Sequence, residues 1–252
     1  MSNDVILQTA GLTKEFRGFV AVKEVSLKVT RGTIHALIGP NGAGKTTCFS
    51  LLTKFHTPTR GRITYKGRDI TGAKPAEIAR LGMVRSFQIS AVFPKLSALE
   101  NVRVALQRRE HGGSFDFFRS SRVLARLDGK AKELLDAVGL SEYASTAAGE
   151  MSYGRKRALE IATTLALDPE LMLLDEPTAG MGHEDVDRTA ELIKRVAKDR
   201  TVLMVEHNLS IVSTLSDHIT VLARGEILAE GDYATVSKNE DVIQAYMGSS
   251  HA

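Results

Sequence analysis

The sequence predicts an α/β protein with a mostly parallel sheet between helices, a β-rich N-terminal section and a helical insert in the middle. Three observations carry this. The apolar run Ile34-His35-Ala36-Leu37-Ile38 leads directly into Gly39-Pro40-Asn41-Gly42-Ala43-Gly44-Lys45-Thr46, a glycine-rich strand-to-helix turn. Short apolar runs at 171–174 and 201–205 then alternate with helical patterns at 183–198 and 209–215, as buried parallel strands alternate with crossover helices. Between these two parts, residues 95 to about 165 read as a mostly helical insert.

Taken in order, residues 19–29 and 62–65 read as short strands, with Arg31-Gly32 and Lys66-Gly67-Arg68 as turns. A helix is expected over 45–53. Ser97-Ala98-Leu99-Glu100 is a capping box, so a helix should open there. Residues 111–121, rich in Gly, Ser and Phe, read as a loop. Leu124, Leu127, Ala131, Leu134, Leu135 and Val138 keep helical spacing, and Gly139 is the expected stop. A helix is expected over Lys156 to Leu167. Residues 218–229 read as a hairpin turning at Arg224-Gly225, followed by a helix near 241–247.

The 252 residues suit one large domain or a domain with a subdomain. Hydrophobic residues at 43% and charged residues at 25% match a soluble globular balance rather than a disordered or membrane-spanning one. No run reaches the about 18 apolar residues a bilayer span needs. Met1-Ser2-Asn3-Asp4 has neither the basic region nor the apolar core of a signal peptide, so a cytosolic location is expected. The one cysteine, Cys48, excludes an internal disulfide or a cysteine metal cluster and reads as a buried side chain. The net charge of +3 is spread along the chain, and its densest cluster, Arg155-Lys156-Arg157, fits a solvated helix face as well as a nucleic-acid patch.

The turn at 39–46 has the spacing G-x-x-x-x-G-K-[ST], which has a mechanism. Gly39, Gly42 and Gly44 let the backbone curl so that its N–H groups point at a polyphosphate. Pro40, Asn41 and Ala43 belong to the same nucleotide-binding loop. The helix opening near Lys45 adds its positive dipole end. Lys45 supplies charge to the β- and γ-phosphates, Thr46 a hydroxyl ligand for Mg²⁺, and Thr47 a contact near the α-phosphate. A second motif, Leu171-Met172-Leu173-Leu174-Asp175-Glu176, buries a strand and delivers two carboxylates at its end. Asp175 is placed to hold the Mg²⁺ shell, and Glu176 to orient or deprotonate the attacking water.

The third motif, Met151-Ser152-Tyr153-Gly154-Arg155, lies about 20 residues before the acidic strand. It resembles the Leu-Ser-Gly-Gly-Gln signature of ATP-binding cassette (ABC) ATPases, with Tyr153 in place of a glycine and Arg155 in place of the glutamine. The resemblance covers residues 6 to 248. It implies a phosphate-loop NTPase fold of the ABC ATPase type. That fold has a RecA-like α/β core with an N-terminal antiparallel β-subdomain (1–88 and 166–252) and a helical subdomain insert (89–165). In the family the signature closes over the ATP of a second subunit, so Ser152 and Gly154 would contact the partner's γ-phosphate in a head-to-tail dimer.

Further positions match one by one. Gln88, in Val84-Arg85-Ser86-Phe87-Gln88, resembles the glutamine that touches Mg²⁺ and the attacking water. His207, in Val205-Glu206-His207, resembles the switch histidine on the γ-phosphate. Phe16 occupies the place of the adenine-stacking aromatic, although Phe16 and nearby Phe19 are both open to a core role. Gly182 stands where many relatives carry an aspartate that couples the two ATP sites. Arg-Ser-Phe-Gln at 85–88, Ala-Leu-Glu-Ile-Ala at 158–162 and Val-Ile-Gln-Ala-Tyr-Met-Gly at 242–248 resemble the ATP-binding subunits of branched-chain amino acid importers and of related urea and amide importers.

That branch implies ATP and Mg²⁺ as cofactors and a second cassette, similar or identical, as partner. It also implies membrane permeases and, indirectly, a periplasmic or extracellular binding protein, with the chain peripheral on the cytoplasmic face of the plasma membrane. No nucleic-acid partner is expected. Ile89, Val92 and Phe93 read either as a permease-docking patch or as helical-subdomain core. A rival reading is a soluble cassette ATPase acting on DNA or ribosomes, and another is a phosphate-loop GTPase or kinase. The first usually carries a coiled-coil insertion or a fused second cassette, which this sequence lacks. The second leaves Ser152–Arg155 and His207 without a role.

Overall fold

A computed structural model describes residues 4–86, 92–111 and 121–247; for 108–111 and 121–126 it describes the backbone. The strands are β1 (Val5–Phe16), β2 (Phe19–Val25), β3 (Lys28–Thr30), β4 (Ile34–Ile38), β5 (Arg60–Tyr65), β6 (Arg68–Asp69), β7 (Met83–Arg85), β8 (Leu171–Asp175), β9 (Thr201–Val205), β10 (His218–Ala223) and β11 (Glu226–Gly231). The α-helices are α1 (Lys45–Leu52), α2 (Pro75–Arg80), α3 (Ala98–His111), α4 (Ser121–Ala137), α5 (Tyr153–Ala166), α6 (His183–Val196), α7 (Leu209–Leu215), α8 (Tyr233–Val236) and α9 (Glu240–Met247). The chain divides into two compact units, one of residues 1–85, 170–177 and 194–252, the other of 86–169 and 178–193. This division puts 178–193 with the helical insert rather than with the core.

The first unit holds two sheets. One is antiparallel, in the order β2-β1-β5-β6, with β3 also on β1. The other runs β11-β10-β4-β9-β8-β7, parallel throughout except for the β10–β11 hairpin. Strands β4, β8 and β9 are buried at every position, which is why they read as continuous apolar runs instead of alternating ones. One apolar core joins both sheets: Leu7, Leu12 and Ile63 from the antiparallel sheet, Leu37, Leu173 and Leu203 from the parallel one, and Phe49, Leu51 and Leu52 of α1. Cys48 lies in the same core, and burial pushes its thiol up to about 12, so it is inert at neutral pH.

Several boundaries differ from the sequence expectation. Within the expected β-rich N-terminal section, β1, 12 residues long, precedes the strands read at 19–29. Residues 19–29 form two strands interrupted at Ser26-Leu27. The helix expected from Lys156 starts at Tyr153, with Ser152 at its N-cap. The expected loop at 111–121 lies almost wholly outside the described residues.

In the helical unit the capping box forms as read. The Ser97 N–H donates to Glu100 Oε2 at 2.8 Å, and the Glu100 N–H donates to Ser97 Oγ at 3.2 Å. Helix α4 ends in a Schellman motif. Gly139 takes φ +73°, its N–H bonds Asp136 O, and the Leu140 N–H bonds Leu135 O. Leu127, Ala131, Leu135 and Val138 are buried.

His35 on β4 is 1% exposed. The Thr220 hydroxyl donates to Glu230 Oε1 at 2.7 Å, so it accepts from the Nε2–H of a neutral His35 at 2.8 Å. Burial, reinforced by the His218 ring 4.8 Å away, pushes the His35 pKa down to about 3. Between that value and an unfolded value of about 6.5 the unfolded chain holds the extra proton, so stability falls as pH drops through this window. Urea denaturation should show a loss from this group of about 2 kcal/mol between pH 7 and pH 5. The His35→Gln variant, which keeps a donor for Thr220, should lose that part of the pH slope. An unchanged slope in the variant would place the acid sensitivity elsewhere.

Candidate functional site

The parallel strands deliver the chemistry at one edge. Register pairs Leu37 of β4 with Val205 of β9, and Val205 with Asp175 of β8. The residues that follow these strand ends, Gly39–Thr46, Glu176 and Glu206-His207, therefore emerge at the carboxyl edge of the sheet, where open α/β sheets bind ligands.

The loop at 39–44 is clamped by backbone. Gly39 has φ +146°, and a Cβ there would lie 2.1 Å from the Leu222 carbonyl oxygen. Gly44 has φ +98°, and a Cβ there would lie 2.5 Å from the Ala21 carbonyl oxygen. The Gly225 N–H, in the β10–β11 turn, donates to Ala43 O at 3.0 Å. The Tyr246 hydroxyl of α9 lies beside the Gly39 backbone. Lys45 opens α1 and curls back, so that Nζ donates to Gly39 O at 2.6 Å and to Pro40 O at 3.0 Å. Burial lowers the Lys45 pKa, and the charges of Glu176 and Asp175 oppose that shift. Thr46 is exposed and Thr47 partly so; Asn41 and Gly42 face solvent.

Asp175 is fully buried and ion-paired with Arg85 at the end of β7. Glu176 follows in a left-handed conformation, φ +46°, with its N–H on Val205 O at 2.9 Å. Such a conformation is costly for a residue with a Cβ, so the packing around Glu176 imposes it. Glu206 is buried, and its Oε2 accepts from the N–H groups of His207 (3.0 Å) and Asn208 (3.2 Å). Asn208 in turn caps α7 through the N–H groups of Ser210 and Ile211. The His207 side chain is left 59% exposed. Phe16 is 38% exposed, edge-on to His56 at 5.2 Å with Lys14 over its face at 4.9 Å. Phe19 is 67% exposed, so neither phenylalanine is core.

In the helical unit, Ser152 and Tyr153 are exposed at the start of α5. A Cβ on Gly154 would lie 2.7 Å from the Asp185 carboxyl carbon, so the position requires glycine as long as Asp185 stays there. Arg155 stacks on Tyr143, 4.0 Å from the ring centroid, which accounts for an arginine at the family's glutamine position. Lys156 Nζ donates to Gly149 O, and Arg157 is buried against Glu160 at 2.6 Å. The three cations thus serve three separate partners. Arg155 and Lys156 lie on the solvent side of the helix, as a solvated face requires, whereas Arg157 is buried. Gly182 is in open space. Gln88 and Ile89 lie outside the described residues; Val92 is half-buried and Phe93 is 54% exposed.

Two residues at this edge were not singled out from sequence. Glu206 reads as a surface acid until its backbone partners are seen. Arg85 reads as one more scattered cation, because its partner lies 90 positions away.

Residues 22–179 match the ABC transporter family model, and residues 226–252 match that of the branched-chain amino acid ATP-binding cassette transporter. The chain is 39% identical over 249 residues to the high-affinity branched-chain amino acid transport ATP-binding protein BraF of Pseudomonas aeruginosa, covering 96% of this chain and 98% of that one. It is 36% identical to LivG of Escherichia coli K12 over the same shares. Among solved structures, the ADP conformation of the ATP-binding cassette MJ1267 superposes with a TM-score of 0.85 at 30% identity, covering 97% of this chain and 99% of that one. The antiparallel and parallel sheets, the helical unit and these matches together define the chain: it belongs to the ATP-binding, ATP-hydrolysing subunits of ABC transporters.

Proposed function

We propose that this subunit powers uptake of branched-chain amino acids or of related small polar molecules such as urea and short amides. The observation that carries this reading is whole-length similarity, including the C-terminal 226–252 segment, to proteins named for branched-chain amino acid transport. In this reading the chain sits on the cytoplasmic face of the plasma membrane against permease subunits. A binding protein on the outer side delivers the substrate. A second cassette, similar or identical, completes the ATP sites.

The carboxyl edge of the parallel sheet suits Mg-ATP. Thr46 and Asp175 offer a hydroxyl and a carboxylate, the hard oxygen donors that magnesium takes alongside water and phosphate oxygens. Gln88, whose carbonyl oxygen is a donor of the same kind, would join them as a further ligand of the metal and the water. Bound magnesium would neutralise charge on the β- and γ-phosphates. The loop 39–47 holds the phosphates through backbone N–H groups, with Lys45 giving up its contacts to Gly39 O and Pro40 O to reach them. Phe16 stacks on the base. Glu176, locked by its backbone pairing to β9, accepts a proton from the attacking water, and His207 hydrogen-bonds the γ-phosphate. Ser152 and Gly154 of the partner cassette close over the same ATP, so the nucleotide favours the closed dimer through contacts that only the dimer makes.

The Glu176→Gln variant keeps size and polarity but has no base. Its turnover should fall at least about a hundredfold, and with ATP it should sediment as a dimer. Wild-type turnover in this variant would remove Glu176 from the role. Mild detergent extraction of the native membrane fraction should bring the chain down with polytopic permeases. Recovery with nucleic acid or ribosomes instead would overturn the transport reading while leaving the ATP chemistry in place.

A further inference from the structure

Arg85 is held more firmly than a surface arginine needs to be. Its side chain is 11% exposed, and its guanidinium pairs with the fully buried Asp175 carboxylate through Oδ2. The other terminal nitrogen, Nη1, is 3.3 Å from Ser50 Oγ and 3.5 Å from Thr53 Oγ1, both on the helix that follows the phosphate loop or at its end. The guanidinium carbon lies 5.9 Å from the ring centroids of Phe49 and of Phe55. Three parts of the nucleotide machinery thus meet on one planar cation: the end of β7, the helix behind the phosphate loop, and the carboxylate of β8.

A buried ion pair is a poor stabiliser, because desolvating both charges offsets most of their attraction, and apolar residues of similar volume often do as well. Its retention at this point therefore calls for another reason. A carboxylate turns broadly about its terminal torsion unless something fixes it. Arginine's planar guanidinium, anchored through Nη1 on the Ser50 and Thr53 hydroxyls, offers Nη2 to Asp175 Oδ2 from a fixed direction, which lysine's single flexible ammonium does not. Groups behind a metal ligand orient it and tune its affinity.

We infer that Arg85 is the positioning residue that aims Asp175 at the magnesium of bound Mg-nucleotide. The inference rests on the assignment of Asp175 to the magnesium shell made above. Arg85 does not touch the nucleotide. It sets which way the Asp175 carboxylate faces.

The test compares ADP affinity in magnesium with ADP affinity in EDTA, by equilibrium titration of wild type and of Arg85→Met, with circular dichroism as the check on folding. The magnesium-to-EDTA affinity ratio should fall about tenfold in Arg85→Met, while affinity in EDTA stays within about twofold of wild type. Arg85→Lys, which keeps the charge and loses the planar guanidinium, should give an intermediate ratio. It also serves as the test if the methionine variant does not fold. An unchanged ratio, a higher one, or equal losses in both conditions would overturn the inference, since a merely structural role weakens both alike. A wild-type ratio of one would remove Asp175 from the metal site, and the role of Arg85 with it.

Discussion

The close approach of three backbone segments behind the phosphate loop is the constraint on which the nucleotide site depends. Gly39 lies against the Leu222 carbonyl, Gly44 against the Ala21 carbonyl, and the Gly225 N–H is bonded to Ala43 O. No side chain fits in these gaps. The loop is therefore held by β2 on one side and by the β10–β11 turn on the other, and its shape does not wait for a ligand. This ties the antiparallel sheet to the chemistry: β2 supplies a wall of the loop, and Phe16, at the end of β1, stands paired with Phe19 at the start of β2. A preformed loop spends little ordering entropy on a phosphate, which favours binding through backbone N–H groups.

Around that loop the charges are arranged in opposition. Lys45 is lowered by burial and held up by Glu176 and Asp175. Asp175 has Arg85 as an ion-pair partner, and Glu206 is occupied by the N–H groups of His207 and Asn208. Glu176 occupies a conformation that its residue type disfavours, fixed by the bond from its N–H to β9. A carboxylate at the end of a wholly buried strand, followed at once by a second one in a strained turn, separates two duties that adjacent acids would otherwise share. Asp175 is buried and held by Arg85, while Glu176 remains partly open to solvent.

Local patterns in the sequence predicted local structure well. The glycine spacing of the loop, the Ser97–Glu100 box, the Gly139 stop, β9 and the Arg224-Gly225 hairpin all depend on residues within a few positions of one another. The N-terminal section was legible as β-rich but the bounds of β1 were not, because its register shifts between Leu12 and Lys14 and between Lys14 and Glu15, which breaks the alternation a strand would show. Residues 19–29 merged for the opposite reason: the fully buried Leu27, in the break between β2 and β3, continues the apolar pattern. Helix α5 starts three residues before Lys156, where Ser152, a residue type that favours the N-cap, opens it. The site was legible where a motif was contiguous. Arg85 with Asp175, Glu206 with its backbone donors and Arg155 on Tyr143 were not, because each is defined by a partner that spacing alone does not identify.

Release of phosphate from ATP by the purified chain, with Lys45→Ala alongside, tests most directly whether the carboxyl edge of the parallel sheet is the catalytic centre. The account predicts magnesium-dependent turnover in the wild type and a loss of about a hundredfold or more in the variant, the scale for removing a group that meets charge developing in the transition state. Equal turnover by a folded Lys45→Ala protein would contradict it, since the phosphates would then be held somewhere other than the loop that Gly39 and Gly44 shape.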